Sequence, residues 1–388
     1  MKGLKEMLKI SFVSEVGHRL LGYKSQSLLG LPRTRPLSLT VSITQKCNSK
    51  CKTCNIWKDP RNDQPSKELT LDEYDKIFKS IGRSVIWYTL SGGEPFLRKD
   101  IVEIARSIIK NSAPKVLIIP TNGLLCKRIV RETERILNIL PSNTTLIVNL
   151  SLDGIGEEHD EIRGIPGNFT RCLETFGALK ELKKTYPQSF ELGVHSVVSR
   201  FNVENILELF DYVKNHLVPD SYICEIAENR EELLNVTDYI TPAIDLYEKT
   251  IRPLQHELRE SLLHNKGLTG LIQAFRLKYY DYVITEMREK RRIIPCYAGR
   301  VSAQISPWGD VWPCCILAYQ ADMGNLRDVD LDFNKLWYSE KATRVRAQVF
   351  KGDCYCPMAN VHYTNMTLTP KAMMGVIGNY LGARMGKK

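Results

Sequence analysis

Short apolar, β-branched runs alternate with longer stretches of helical period between residues 37 and 229. The runs fall at 37–44, 85–90, 115–120, 145–152, 190–198 and 222–226, and each has the length of a strand. Thr70-Leu71-Asp72-Glu73 reads as a capping box that opens the first helix. Asn202 reads as the N-cap of a helix over 203–216. Six strands joined by crossover helices predict right-handed βαβ units and a parallel sheet. Ligands of such sheets gather at the carboxyl ends of the strands, where every motif discussed for this region falls.

Residues 231–292 carry many charges, show helical period and give no strand signal, so they read as linking helices. From Cys296 the pattern changes to short strands, a Pro-Trp-Gly-Asp turn and closely spaced cysteines. That describes a second module, too small to rely on apolar burial and supported by metal. The expected division is a basic amphipathic segment at 1–38, a barrel at 39–230, a helical linker at 231–295, a cluster module at 296–370 and a basic amphipathic tail at 371–388. No internal repeat or low-complexity tract interrupts this order.

Composition changes the picture in three places. Hydrophobic residues make up 43% of the 388 and charged residues 25%, an ordinary globular balance. No segment approaches the roughly 18 uninterrupted apolar residues of a membrane span, and the first residues lack the apolar core of a signal peptide. A cytoplasmic location is therefore expected. The net charge of +10 suits an anionic partner or a well-solvated basic surface. Leu4, Leu8 and Phe12 share a helical stripe with Lys2, Lys5 and Lys9 close by. Met373, Met374, Ile377 and Leu381 accompany Lys371, Arg384, Lys387 and Lys388. Such ends suit peripheral attachment to an anionic membrane surface on the inner face, or ordinary packing on the barrel. Nucleic acid is not an expected partner.

Eleven cysteines are many for a reducing compartment, where clustered thiols point to metal or catalysis. Cys47-Asn-Ser-Lys-Cys51-Lys-Thr-Cys54 directly follows the first strand. Three thiolates on one short loop can hold three corners of a 4Fe–4S cube, leaving one iron open to an outside ligand. The alternative is a zinc knuckle, which wants a fourth nearby Cys or His; none lies close after Cys54. Cys126, Cys172 and Cys224 stand alone and read as buried small hydrophobes.

The CxxxCxxC spacing at the end of a first strand resembles the radical S-adenosylmethionine (SAM) superfamily. Gly92-Gly93-Glu94-Pro95, 38 residues after Cys54, looks like that family's motif for the methionine part of SAM. Thr121-Asn122-Gly123 ends the third strand. Leu150-Ser151-Leu152-Asp153-Gly154 ends the fourth and leads to His159 and Ile162-Arg163-Gly164, similar to a segment whose Ser and Arg contact SAM in many members. Alone, Gly-Gly-Glu-Pro is an ordinary turn, Ser-Leu-Asp-Gly a strand end, Asn122 a turn cap and His159 a packing residue; their ordered co-occurrence carries the resemblance. It implies a partial (β/α)6 barrel. It also implies SAM binding by Gly92, Gly93, Glu94, Asn122, Ser151, Asp153 and Arg163, with Glu94 pairing the SAM ammonium group. Thr53 departs from the family, which often has an aromatic residue there.

The C-terminal module resembles the auxiliary-cluster domains called SPASM and twitch. Twelve residues separate Cys296 from Gly309 and four separate Gly309 from Cys314; Met323-Gly324-Asn325-Leu326-Arg327-Asp328 and Leu336-Trp337 follow. With so few cysteines remaining, the resemblance favours the twitch type. It implies one auxiliary 4Fe–4S cluster on Cys296, Cys314, Cys354 and Cys356. The closing pair is Cys354-Tyr-Cys356 where the family generally has CxxC, so Cys315 competes as a ligand. A zinc site on the same thiolates is the alternative.

Taken together, the resemblance implies an oxidoreductase or C–C/C–S bond-forming enzyme. It would cleave SAM to a 5′-deoxyadenosyl radical and take hydrogen from an unactivated C–H bond. A reducing donor such as ferredoxin or flavodoxin is an implied partner. The basic ends favour a membrane lipid or polyprenyl substrate; a peptide or small metabolite is the alternative. A non-catalytic metal-binding module would keep the cysteines without needing Glu94, Ser151 and Arg163.

Overall fold

The structure is a computed structural model that describes residues 35–63, 67–264, 267–352 and 354–385. The amphipathic stripe expected at 1–22 lies outside the described residues. Strands β1 (Ser38–Thr44), β2 (Trp87–Gly92), β3 (Val116–Thr121), β4 (Thr145–Ser151), β5 (Phe190–Val198) and β6 (Ser221–Ile226) pair in sequence order, all parallel. The intervening helices are α1 (Leu71–Ile81), α2 (Ile101–Ser112), α3 (Cys126–Leu137), α4 (Glu157–Arg163), α5 (Asn168–Thr185) and α6 (Ile206–Tyr212). The sheet stays open, as a partial barrel does.

Alternate residues of each strand build the core. Leu39, Val41 and Ile43 of β1, Leu90 of β2, Leu117 and Ile119 of β3, and Leu146, Val148 and Leu150 of β4 are fully buried. Each such side chain contributes roughly 1.5–3 kcal/mol over its exposed state. The predicted capping box forms: Thr70 accepts from the Glu73 amide, and Glu73 accepts from the Thr70 amide at 2.8 Å.

Asn202 does a different job from the one its sequence suggests. Helix α6 begins at Ile206 behind Asn205. Asn202 is buried, with its amide donating to the Asp153 and Val197 carbonyls at 2.7 and 2.9 Å. It ties the ends of β4 and β5 together.

After β6 come two long helices, α7 (Ile244–His264) and α8 (Gly267–Glu289), in the expected helical region. The following strands do not stand apart as a separate sheet. β7 (Ser302–Ile305) pairs parallel with β1, placing Thr40 beside Gln304. β8 (Asp310–Trp312) and β9 (Gly324–Asn325) extend the sheet antiparallel, giving nine strands in the order β6-β5-β4-β3-β2-β1-β7-β8-β9. Arg327 meets both carboxylate oxygens of the capping-box Glu73, at 2.7 and 2.9 Å, so the Asn-Leu-Arg motif docks on the barrel.

The chain ends with α9 (Phe333–Trp337), α10 (Glu340–Lys351), α11 (Ala359–Leu368) and α12 (Pro370–Met385). α12 packs through Ala372 and Val376 and leaves Met374, Ile377 and Leu381 exposed. No helix of the described residues is long and apolar enough to cross a membrane.

Candidate functional site

The loop carrying Cys47, Cys51 and Cys54 leaves the carboxyl end of β1 and is clamped from three sides. The Gly93 amide donates to the Thr44 carbonyl and the Glu94 amide to the Lys46 carbonyl, both at 2.8 Å. The contact is too close for any side chain: a Cβ on Gly93 would lie 2.1 Å from the Lys46 oxygen. Lys50 and Lys52 donate their amides to the carbonyls of Arg163 and Ile162 at 2.9 and 2.8 Å. On the third side, the Asn55 amide bonds the Leu233 carbonyl at 2.9 Å, and the Asn235 side chain bonds the Thr53 carbonyl at 2.7 Å. The sequence reading had missed residues 233–235, which look like part of an ordinary charged linker.

The three thiols are half-buried. Desolvation pushes Cys47 up to about 12 and also raises Cys51 and Cys54, and the three lie within one another's field. Donors surround them: the Ser49 amide reaches the Cys47 sulfur at 3.4 Å and Arg163 Nη1 reaches the Cys51 sulfur at 3.8 Å. Among the described residues no three His, Cys, Asp or Glu side chains are placed to share one metal ion. A single zinc needs that convergence, whereas a cube offers each thiolate its own iron. The donor set therefore fits the cube.

The residues expected to bind SAM form a shell around this loop. Glu94 is 1% exposed. Its oxygens accept from the Phe96 amide, the Thr121 hydroxyl and the Asn122 amide, at 3.1, 2.9 and 2.8 Å. Burial lifts its carboxyl to about 7 against those bonds. Asn122 donates to Asn48 at 2.8 Å and accepts from the Leu124 amide, so it caps its turn and also touches the cysteine loop. Asp153 accepts from the Val197 amide at 2.8 Å and pairs with Arg163 Nη2 at 2.9 Å. Burial opposes the Arg163 charge, but Asp153 keeps it firmly protonated. Arg163 Nε is buried without a partner; such a donor suits a bound anionic ligand. Ser151 ends β4 on the same rim.

His159 is fully buried, with Nδ1 accepting from the Asp153 amide at 3.1 Å. Burial and then the Arg163 charge hold it down at about 4. The folded protein keeps it neutral while the unfolded chain protonates near 6.5. Its contribution to stability is thus present above pH 6.5 and lost as pH falls through about 4. Denaturant titrations should show roughly 3 kcal/mol of acid-side loss over that window, which His159→Phe should remove. An unchanged profile in the variant would assign the loss to other groups.

The lone cysteines divide. Cys172 and Cys224 are buried, as expected of small hydrophobes, but Cys126 is half-exposed at the start of α3. Cys172 packs beneath the Asn122–Gly123 turn and bonds the Asn122 carbonyl at 3.0 Å.

In the C-terminal module, Cys296, Cys314, Cys354 and Cys356 influence one another electrostatically, and burial is the main force raising Cys296, Cys314 and Cys356. Arg292 grips the closing loop, reaching the Cys354 sulfur at 3.1 Å and its carbonyl at 3.2 Å. A buried His362–Glu286 contact at 2.8 Å supports the Cys356 carbonyl. Cys315 is buried, with its sulfur 2.9 Å from that of Met358.

Beside the second cysteine group lies a cavity of about 290 Å³. It takes in Gly92 on one side and Cys314, Cys315 and Met358 on the other. Its lining mixes apolar residues with polar side chains from β1, β2 and β4–β7, including Thr40, Thr89, Asn149, His195, Glu225 and Gln304. These polar residues went unrecognised, although the sequence carries a signal for them. A parallel sheet covered on both faces reads as apolar throughout, whereas Thr40, Thr89 and Asn149 precede the buried Val41, Leu90 and Leu150 in strict alternation.

A parallel half-barrel with a three-cysteine loop at its mouth and a second cysteine group beside a cavity fits an iron–sulfur enzyme. The family model of the radical SAM superfamily matches residues 41–239, and that of the SPASM iron–sulfur cluster-binding domain matches 296–358. The chain belongs to the radical SAM superfamily and carries a C-terminal SPASM domain. It is 26% identical over 331 residues to the AdoMet-dependent heme synthase of Methanosarcina barkeri, covering 82% of this chain and 87% of that one. It is 25% identical over 342 residues to the antilisterial bacteriocin subtilosin biosynthesis protein AlbA of Bacillus subtilis, covering 83% and 66%. Among solved structures, anSMEcpe with bound AdoMet and the Cp18Cys peptide superposes with a TM-score of 0.58 at 18% identity, covering 91% and 100%. The cofactors of such an enzyme are SAM, a SAM-binding 4Fe–4S cluster and auxiliary iron–sulfur.

Proposed function

We propose that Cys47, Cys51 and Cys54 hold the SAM-binding cluster and that the enzyme acts on a peptide or small polar metabolite seated in this cavity. The observation that carries this reading is the position of the cavity, which opens on Gly92 of the SAM motif and is walled by Cys314 of the second cysteine group. When bound, the cluster supplies the electron that breaks a sulfur–carbon bond of SAM, giving methionine and the 5′-deoxyadenosyl radical that takes a substrate hydrogen.

The chain's own residues bind, orient and shield. Gly92 and Gly93 let backbone approach the ligand closely. Glu94, whose two oxygens already order the β2 and β3 ends, supplies the acceptor for the SAM ammonium. Arg163, fixed by Asp153, brings its unpartnered Nε and the cysteine loop together. The sheet and the C-terminal module exclude water from the radical's path. Cys296, Cys314, Cys354 and Cys356 are the proposed ligands of one auxiliary cluster, with Cys315 outside the set.

Two relatives support the polar substrate. AlbA acts in the biosynthesis of a bacteriocin, and anSMEcpe was solved with a peptide. The lipid substrate expected from the basic termini therefore gives way to the peptide-or-metabolite reading. A small reductant, ferredoxin or flavodoxin, remains the proposed electron source.

Anaerobic reconstitution tests the whole proposal. The protein should hold about eight irons, four for each Cys-ligated site, and should form 5′-deoxyadenosine from SAM when reduced. Mass spectrometry reads the product. Zinc in the second site would overturn the auxiliary assignment, and absence of 5′-deoxyadenosine would overturn the first.

A further inference from the structure

The cavity also carries a charge pattern that the family assignment does not explain. Two carboxylates, Glu225 of β6 and Glu232 of the loop that follows, line it, and a third, Glu228, lies in the field of Glu225. Two guanidinium groups stand near them. Arg230 is committed to Glu228, which accepts from its Nε at 3.1 Å and its Nη2 at 2.7 Å. Arg276 lies behind Glu225 and donates to the Tyr222 carbonyl. His195 Nε2 sits 3.6 Å from Glu225, beyond hydrogen-bond reach, and is buried without a hydrogen-bond partner.

Glu232 is the one of the three in no ion-pair contact, although Arg230, which also lines the cavity, acts on it at longer range and Cys315 hydrogen-bonds it. Its carboxylate takes hydrogen bonds from neutral donors, the Ser42 hydroxyl at 3.3 Å and the Gln304 amide. A buried carboxylate without an opposite charge in contact is costly. Asn149 Oδ1, on the same wall, is a buried acceptor with no partner. It lies where a Cβ on Gly193 would stand, at 2.2 Å, so the glycine makes room for it. Glu232 and Asn149 Oδ1 are thus both open to a hydrogen-bond donor, and they line one cavity with Gly92.

We infer that the cavity receives an ammonium or guanidinium group of the substrate, seated against Glu232 and Glu225 with Asn149 Oδ1 as a further acceptor. This rests on the cavity being the substrate site, as proposed above. The group is carried either by a lysine- or arginine-like side chain of a peptide or by a free amine. Both place positive charge where the protein leaves carboxylate unmatched. A carboxylate-rich substrate is disfavoured by the same field, because like charges at short range cost several kcal/mol.

Equilibrium dialysis of the anaerobic, cluster-loaded protein with SAM present tests the inference without any turnover. The probes are N-acetyl-lysinamide, the neutral N-acetyl-norleucinamide and the anionic N-acetyl-glutamate amide. The lysine probe should bind at least about tenfold more tightly than the neutral one, the scale of a lost charged hydrogen bond, and the anionic probe should bind weakest. E232Q should reduce the preference to about threefold or less. A lysine-centred pentapeptide and agmatine separate the two sources: whichever binds more tightly identifies the carrier, and either result supports a cationic substrate. Equal binding of the three amides, or preference for the anion, overturns the inference. If E232Q does not load its clusters, the wild-type probe series decides alone. Formation of 5′-deoxyadenosine by the wild type without probe is measured separately, so failure of radical initiation is distinguishable from failure of cation selection.

Discussion

Replacing Cys47, Cys51 and Cys54 together by alanine is expected to reduce 5′-deoxyadenosine formation to the level of a protein-free control. The barrel should survive, because the loop is held by its backbone. Its clamps are the Lys46, Arg163 and Leu233 carbonyls and the Lys50, Lys52 and Asn55 amides, and none involves a thiol. Circular dichroism and thermal unfolding check the fold, and iron analysis should still find the second site filled. Undiminished product from the triple variant would refute the assignment of the first cluster.

Changing Asp153 to Asn should destabilise the protein by about 3–5 kcal/mol, the usual consequence of leaving a buried charge without its partner. Arg163 and Asp153 are 12% and 2% exposed, so water cannot replace the lost carboxylate. The substitution is isosteric, and the Val197 amide can still be accepted, so the charge pair is what the measurement isolates. Denaturant titration reads the loss. The double variant D153N/R163M should recover part of the stability while still failing to cleave SAM, because Arg163 also touches Cys51. Full recovery of SAM cleavage in the double variant would show that Arg163 serves the fold alone.

The strands were legible because each is a short β-branched run whose alternate residues are fully buried. The capping box was legible because its two bonds are local. Asn202 was not: its partners, the Asp153 and Val197 carbonyls, lie across a strand end, and no local pattern records them. The same holds for residues 233–235, which reach the cysteine loop from about 180 positions away. His195, Glu225 and Glu232 were passed over because single polar residues in or after a strand look like solvent-facing positions. Only the curvature of the open sheet around a cavity turns that face inward. The choice between Cys315 and the Cys354/Cys356 pair could not be read from spacing, because spacing does not fix side-chain direction.

Pairing of β7 with β1 has a consequence for how the polypeptide is made. β1 emerges early from the ribosome, yet Ser38 to Val41 find their second partner only in Ser302 to Ile305. Until those residues are synthesised, one flank of the first strand presents open amides and carbonyls, a surface prone to mispairing. Contacts of such long sequence separation form slowly. Nascent chains halted before residue 302 should therefore stay protease-sensitive and in need of a chaperone, and the barrel should become resistant only when the C-terminal strands have been translated.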